Sequence, residues 1–289
     1  LLPSATVERT CPQFSPDGKE LAFIEDRIRL MVLNLDTKKV RRITDGSTWY
    51  STDGEFSYAW SPDCKWFTLE FIGNRHDPYS DIGLVSAQGN SPIVNLTNSG
   101  YMSGSPRFAL DGNAILFKTE RYGMRAHASW GSQDDAMLIF LNQDAYDKYC
   151  LSKEDYELRK ELEAEQKKTQ DKDTAKDKKR SKKETEQEKT GNDKSQVKDI
   201  VVELKNIEDR IVRLTPNSSD MGSVIISKDG ESLYYFAAFE DGYDLWKMDL
   251  RKKDTRLLHK MDAGWASMEM DKDGKNLFLL GGKTMQKMD

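Results

Sequence analysis

A four-residue turn recurs along this chain, and its spacing restricts the fold more than any other feature. It stands as Ser15-Pro16-Asp17-Gly18, Ser61-Pro62-Asp63-Cys64, Ala109-Leu110-Asp111-Gly112, Ser227-Lys228-Asp229-Gly230 and Asp271-Lys272-Asp273-Gly274. Successive aspartates lie 46, 48, 118 and 44 positions apart, so only the third interval departs from a common period. Each residue type has a reason to be there. Proline presets φ, the aspartate carboxyl bonds nearby backbone, and glycine accepts the left-handed conformation that a short antiparallel connection needs. Cys64 breaks the glycine rule.

The flanks of the turn say what it connects. Three residues before the aspartate stand Phe14, Trp60, Phe108, Ile226 and Met270; four after stand Leu21, Phe67, Ile115, Leu233 and Leu277; six after stand Phe23, Leu69, Phe117, Tyr235 and Leu279. All fifteen are apolar in a chain that is only 37% apolar, so the pattern is a buried face. Positions four and six share one side of a strand, and the earlier residue faces them across a hairpin. A second half follows, as in Asp81-Ile82-Gly83-Leu84-Val85 with Ile93-Val94-Asn95-Leu96-Thr97, and Asp244-Leu245-Trp246-Lys247-Met248 with Arg256-Leu257-Leu258. Four short strands in about 45 residues make one propeller blade. The expected fold is all-β: a β-propeller of four-stranded WD40-like or TolB-like (PD40) blades spanning 1–289. Blades begin near Pro12, Phe56, Gly104, Met221 and Trp265, the last with two strands, which leaves the ring incomplete. A β-sandwich would share the hairpins but does not usually repeat one turn sequence five times.

The long interval marks an insertion in the third blade, expected over 122–198. Asp81 to Thr97 spans 16 positions, and so does Asp199 to Thr215, which puts the third strand at Asp199. The alternative takes Ala136-Met137-Leu138-Ile139-Phe140 as third strand and moves the insertion to the opposite face. Trp130, Phe140, Tyr146 and Tyr149 give its first part something to bury. Ser152 with Asp155 reads as a helix N-cap ahead of Tyr156, Leu158 and Leu162. From about 164 to 198 the Lys/Glu/Asp/Gln composition cannot offset its ordering entropy and predicts disorder or a solvated helix.

Composition and motifs bound the chemistry. The net charge of -5 arises from interspersed acids and bases, which argues against a nucleic-acid partner. Mean hydropathy is -0.74 and no apolar run reaches the roughly 20 residues of a membrane span, so no membrane insertion is expected and the chain is expected to be soluble. Leu1-Leu2-Pro3-Ser4 lacks an initiator Met and reads as the start of an excised or processed segment. Cys11, Cys64 and Cys150 form neither a disulfide framework nor a CxxC site. His76, His127 and His259 have no metal-binding spacing, so no metal or other cofactor is expected. Ser132 in Gly131-Ser132-Gln133-Asp134-Asp135 lacks the elbow of a nucleophile, and Gly281-Gly282-Lys283 reads as a hairpin turn. No catalytic residue is assigned.

Function in a propeller belongs to its loops, and strand alternation sorts them by face. Connections between blades share a side with those between second and third strands. That side gathers Trp49, Tyr50 and Trp265 and the candidate peptide contacts Arg75, His76, Asp77, Tyr101, Arg121, Tyr122 and Tyr243. Guanidinium, imidazole and ring groups there suit an extended peptide.

With Ile72-Gly73-Asn74-Arg75-His76-Asp77-Pro78, Gly123-Met124-Arg125, Trp130 to Asp135 and Arg210-Ile211-Val212-Arg213-Leu214-Thr215, the chain resembles the tricorn-like serine peptidases of the C-terminal-processing (S41) class over nearly its whole length. The resemblance implies a non-catalytic propeller that gates peptide substrates and products and scaffolds the PDZ and peptidase domains of a longer chain. It further implies a periplasmic setting, with a cytoplasmic one and homo-oligomers left open. The family's catalytic residues match nothing here. The alternatives are a TolB-like protein-binding propeller without a protease and the propeller of a prolyl-oligopeptidase-like hydrolase.

Overall fold

The computed structural model describes residues 7–50, 54–73, 77–125, 132–163, 165, 198–271 and 273–288. Five antiparallel sheets follow one another as the blades of a propeller. The first holds β1 (Arg9–Phe14), β2 (Glu20–Glu25), β3 (Arg29–Asn34) and β4 (Val40–Arg42); the second holds β5 (Tyr58–Trp60), β6 (Trp66–Phe71), β7 (Asp81–Ser86) and β8 (Val94–Asn95). The third contains β9 (Ser103–Ala109), β10 (Ala114–Thr119), β11 (Asp135–Phe140) and β12 (Ile211–Arg213), and the fourth β13 (Asp220–Ile226), β14 (Ser232–Ala238), β15 (Tyr243–Asp249) and β16 (Asp254–Ala263). The fifth has β17 (Ala266–Met270), β18 (Leu277–Gly281) and β19 (Thr284–Met288), one strand more than the sequence suggested. Gly282-Lys283 makes the two-residue turn between its last two strands, with Gly282 at φ +59°.

The recurring turn is a hydrogen-bonded unit. In the first copy the Ser15 hydroxyl donates to Asp17 Oδ1 at 2.7 Å and accepts the Glu20 amide at 2.9 Å, while the Gly18 amide donates to the Ser15 carbonyl at 2.8 Å. Ser61 and Ser227 repeat the arrangement. The third copy, lacking serine, winds instead into a short 3-10 turn at Leu110–Gly112. Cys64 adopts φ +61° where Gly18 has φ +74° and Gly230 has φ +74°. A side chain held there costs about 1 kcal/mol, so Cys64→Gly is expected to raise stability by about 0.5–1 kcal/mol in urea unfolding. A loss of stability would show that the partly buried thiol contributes more than the backbone strain.

The flanking triplets meet as the period requires. Phe14 faces Leu21, Trp60 faces Phe67, Phe108 faces Ile115, Ile226 faces Leu233 and Met270 faces Leu277. That face packs on the other side of the blade before it. Phe67 and Leu69 meet Ala22 and Ile24, Ile115 and Phe117 meet Ile82 and Leu84, and Leu233 and Tyr235 meet Leu116 and Leu138. Leu277 and Leu279 meet Phe236 and Leu245. Each such side chain adds about 1.5–3 kcal/mol when buried. The first blade has no described neighbour on that side and leaves Phe14 67% exposed; the fifth leaves Leu280 44% exposed and Met285 71% exposed on its own unmatched side.

The third blade corrects the leading expectation. Its third strand is β11, paired in register along β10 from Ala114↔Phe140 to Thr119↔Asp135, and β12 pairs with β11, not with a strand at Asp199. The excursion therefore runs between third and fourth strands, on the face of the Asp-Gly turns, and Tyr122 lies before it in the β10–β11 connection. The physical reason lies in two carboxyls. Asp81 opens the third strand of blade two and accepts from the Thr97 hydroxyl at 2.7 Å and the Ser99 amide at 2.9 Å. Asp135, fully buried, plays that part in blade three, accepting from the Thr215 hydroxyl at 2.7 Å. Asp199 instead stays exposed and pairs with Lys65.

The excursion begins with α1 (Gln143–Cys150), whose N-cap Asn142 accepts the Ala145 amide at 2.9 Å. Residues 153–163 form a second helix, and Ser152 caps it by accepting the Asp155 amide at 3.1 Å. Its inner face differs from the expected one. Tyr156 is buried, but Leu158 and Leu162 are 57% and 50% exposed. The Arg251 guanidinium stands 3.9 Å over the Tyr156 ring and donates to the Tyr149 carbonyl at 2.6 Å, which fixes the side that docks. The tract expected over 164–198 falls almost wholly outside the described residues. Its return is fixed where the Ile200 amide donates to Asp63 Oδ2 at 2.9 Å.

Candidate functional site

Inner strands of the first three blades, with turn residues of the others, surround an open central channel of about 1790 Å³. Gln13, Tyr58, Trp60, Arg107, Lys228 and Glu269 line it on the side of the Asp-Gly turns. Two of them approach across it: Arg107 Nη2 of β9 lies 3.9 Å from Glu269 of β17, past the intervening fourth blade. The Tyr58 hydroxyl donates to the Cys11 carbonyl at 2.5 Å, and burial pushes its phenol pKa up.

On the opposite side the loops bring together three of the expected contacts. Arg121, in the β10–β11 connection, stands 5.9 Å from the Tyr101 ring centre and 5.5 Å from that of Tyr122. Two residues that the face assignment did not include complete the group: Arg125 lies 4.3 Å over Tyr101, and Arg213 lies 5.0 Å over Tyr122. Cations and rings thus alternate in the order Arg125, Tyr101, Arg121, Tyr122, Arg213. Each exposed contact of this kind is worth about 0.5–1 kcal/mol.

The local fold explains the placement. Gly123 sits so close to the Gln133 carbonyl that a Cβ would lie 2.0 Å from its oxygen, and the Gln133 amide donates to the Met124 carbonyl at 2.9 Å. The connection is thereby folded back with Tyr122 and Arg125 outward. Arg213 is held from beneath by Asp135, at 3.0 Å from Nε and 2.9 Å from Nη2, and Ser218 donates to the same carboxylate at 2.8 Å. No spacing rule would have found Arg213, because it reaches the group only through pairing of β11 with β12.

The remaining expected contacts do not join this group. The Tyr243 hydroxyl donates to Asp220 Oδ1 at 2.7 Å, and burial together with that carboxylate pushes its pKa up to about 12. Asp77 is exposed in the β6–β7 connection. Arg75 and His76 lie outside the described residues. The Ser132 hydroxyl is buried with no described hydrogen-bond partner, so no general base holds it.

Two carboxyls at the blade junctions beneath this face are shifted upward. Burial is the main cause for Glu70, which accepts the Ser105 and Ser57 amides, and for Asp134, which also faces Glu120 and Asp220 while Lys118 opposes the rise. A folded pKa above the unfolded one means that the native state is favoured with the proton on, and that this advantage is lost as pH rises through the folded value. Comparison of wild type with Glu70→Gln should show the balance moving toward the variant as pH rises through that point. Parallel thermal-midpoint curves against pH would mean that Glu70 titrates normally.

Comparisons with known proteins agree with this architecture. The chain is 27% identical over 108 residues to a protein from Sulfurisphaera tokodaii described as a tricorn-like protease C-terminal subunit, which covers 37% of this chain and 12% of that one. Among solved structures it resembles the tricorn protease at a TM-score of 0.63 and 12% identity, over 99% of this chain and 26% of that chain. A TolB structure from Agrobacterium tumefaciens is similar at a TM-score of 0.53 and 13% identity, over 97% and 80% of the two chains. At such identities the structural likeness is one of fold. No protein-family model matches. The chain thus spans only an eighth of its curated relative and a quarter of the tricorn protease. No helix among the described residues is long and apolar enough to cross a membrane.

Proposed function

We propose that this β-propeller, similar in sequence and fold to tricorn-type proteases, is a non-catalytic unit of a longer serine peptidase that gates peptide passage and scaffolds the catalytic domains. The observation that carries the reading is the alternation of three arginines and two tyrosines on one face of a ring around an open channel. Such a surface offers an extended chain both stacking and hydrogen-bond donors, without a nucleophile to cut it. PDZ and peptidase domains elsewhere in the chain, and a periplasmic setting, belong to the same proposal.

Hydrogen exchange on the full-length parent, with and without an unhydrolysed peptide, tests it. Protection at Tyr101 and from Arg121 to Arg125 is expected. Unchanged exchange throughout the propeller, with protection confined to other domains, would reduce it to a scaffold.

A further inference from the structure

The alternating group is not electrically balanced. Arg213 is neutralised by Asp135, but Arg121 and Arg125 are exposed, and among the described residues no carboxylate pairs with either. A ring engages the flat side of a guanidinium and leaves its edge donors free for a planar acceptor. Carboxylates fit that edge with two parallel hydrogen bonds. Both free cations, moreover, stand over the same Tyr101 ring. Side chains two apart on an extended strand lie on one side, about 7 Å from each other, a spacing that two cations sharing one ring can match.

We infer that Arg121 and Arg125, with Tyr101 and Tyr122, receive an extended acidic segment through carboxylate side chains at alternate positions. The inference rests on the peptide-handling reading and adds the charge and spacing of the ligand. The rings pack on the aliphatic parts of that segment. Exposure of both cations makes the interaction screenable, since the Debye length is about 8 Å at physiological ionic strength.

The test uses the full chain and four labelled hexapeptides, carrying Glu or Gln at alternate positions, each with a free or an amidated C-terminus, followed by fluorescence anisotropy. Both Glu peptides are expected to bind alike and at least tenfold more tightly than both Gln peptides, with the advantage shrinking as salt is added. The double substitution Arg121→Gln and Arg125→Gln should erase the advantage and leave the thermal midpoint in place. Gln peptides binding as tightly as Glu peptides would overturn the acidic preference while leaving peptide handling intact. Loss of binding on amidation would assign the arginines to a terminal carboxylate instead. A variant that kept the preference would move the site elsewhere. Failure of every peptide to bind would sink the peptide-handling reading itself.

Discussion

Trp60→Ala should destabilise the protein by about 3–5 kcal/mol, whereas Phe14→Ala, at the same place in the repeat, should cost no more than about 0.5 kcal/mol. Trp60 lies with its ring centre 4.0 Å from that of Phe67, is 8% exposed, and donates from Nε1 to the Gln13 carbonyl at 3.3 Å. Phe14 has the same hairpin partner position but no blade in front of it. Urea unfolding of the two variants reads the difference directly. Equal losses would mean that Phe14 is covered in solution, by another part of the chain or by a second molecule.

Asp135→Ala is the second large effect, expected at about 3 kcal/mol, the lower end for breaking a buried ion pair because Arg213 remains a third exposed. The substitution removes at once the acceptor for Thr215, Ser218 and Arg213, and so loosens β12 from β11. Asp135→Asn should lose less, since an amide oxygen keeps part of the acceptor role. A second consequence separates this from plain destabilisation. With its anchor gone, Arg213 should leave the Tyr122 ring, visible as a shift of the tyrosine ring resonances under conditions where the variant is still folded. A loss below 1 kcal/mol would show that backbone pairing of β12 suffices without the carboxyl.

The blades were legible because their signal is redundant: five turns and fifteen flanking positions reinforce one another, and an exception such as Cys64 cannot erase the rest. The excursion was not legible in the same way. Thr215 was rightly matched to Thr97, but its aspartate was sought at a fixed distance, and Asp199 stands there by coincidence. Once chain is inserted between two partners, spacing carries no information about which residues meet; the buried acid at the head of a strand, Asp135, was the surviving mark. Hydrophobicity misled too. Ile200 and Val202 pack partly against the second and third blades while making no strand, so an apolar run there reports contact and not pairing. Tyr101, Arg121 and Tyr122 could be grouped by face from strand alternation alone. Arg125 and Arg213 needed the folded connection and the pairing of β12.

Because Asp135 and Thr215 clasp the two ends of the excursion, the length of chain between Phe140 and Ile211 hardly enters the free energy of folding. The entropy of closing a loop grows only logarithmically, about 0.6 kcal/mol for each doubling of its length. A blade closed by a side-chain clasp can therefore accept chain at that point over a wide range of lengths, and acquire new surface there, while the strands on either side keep their register.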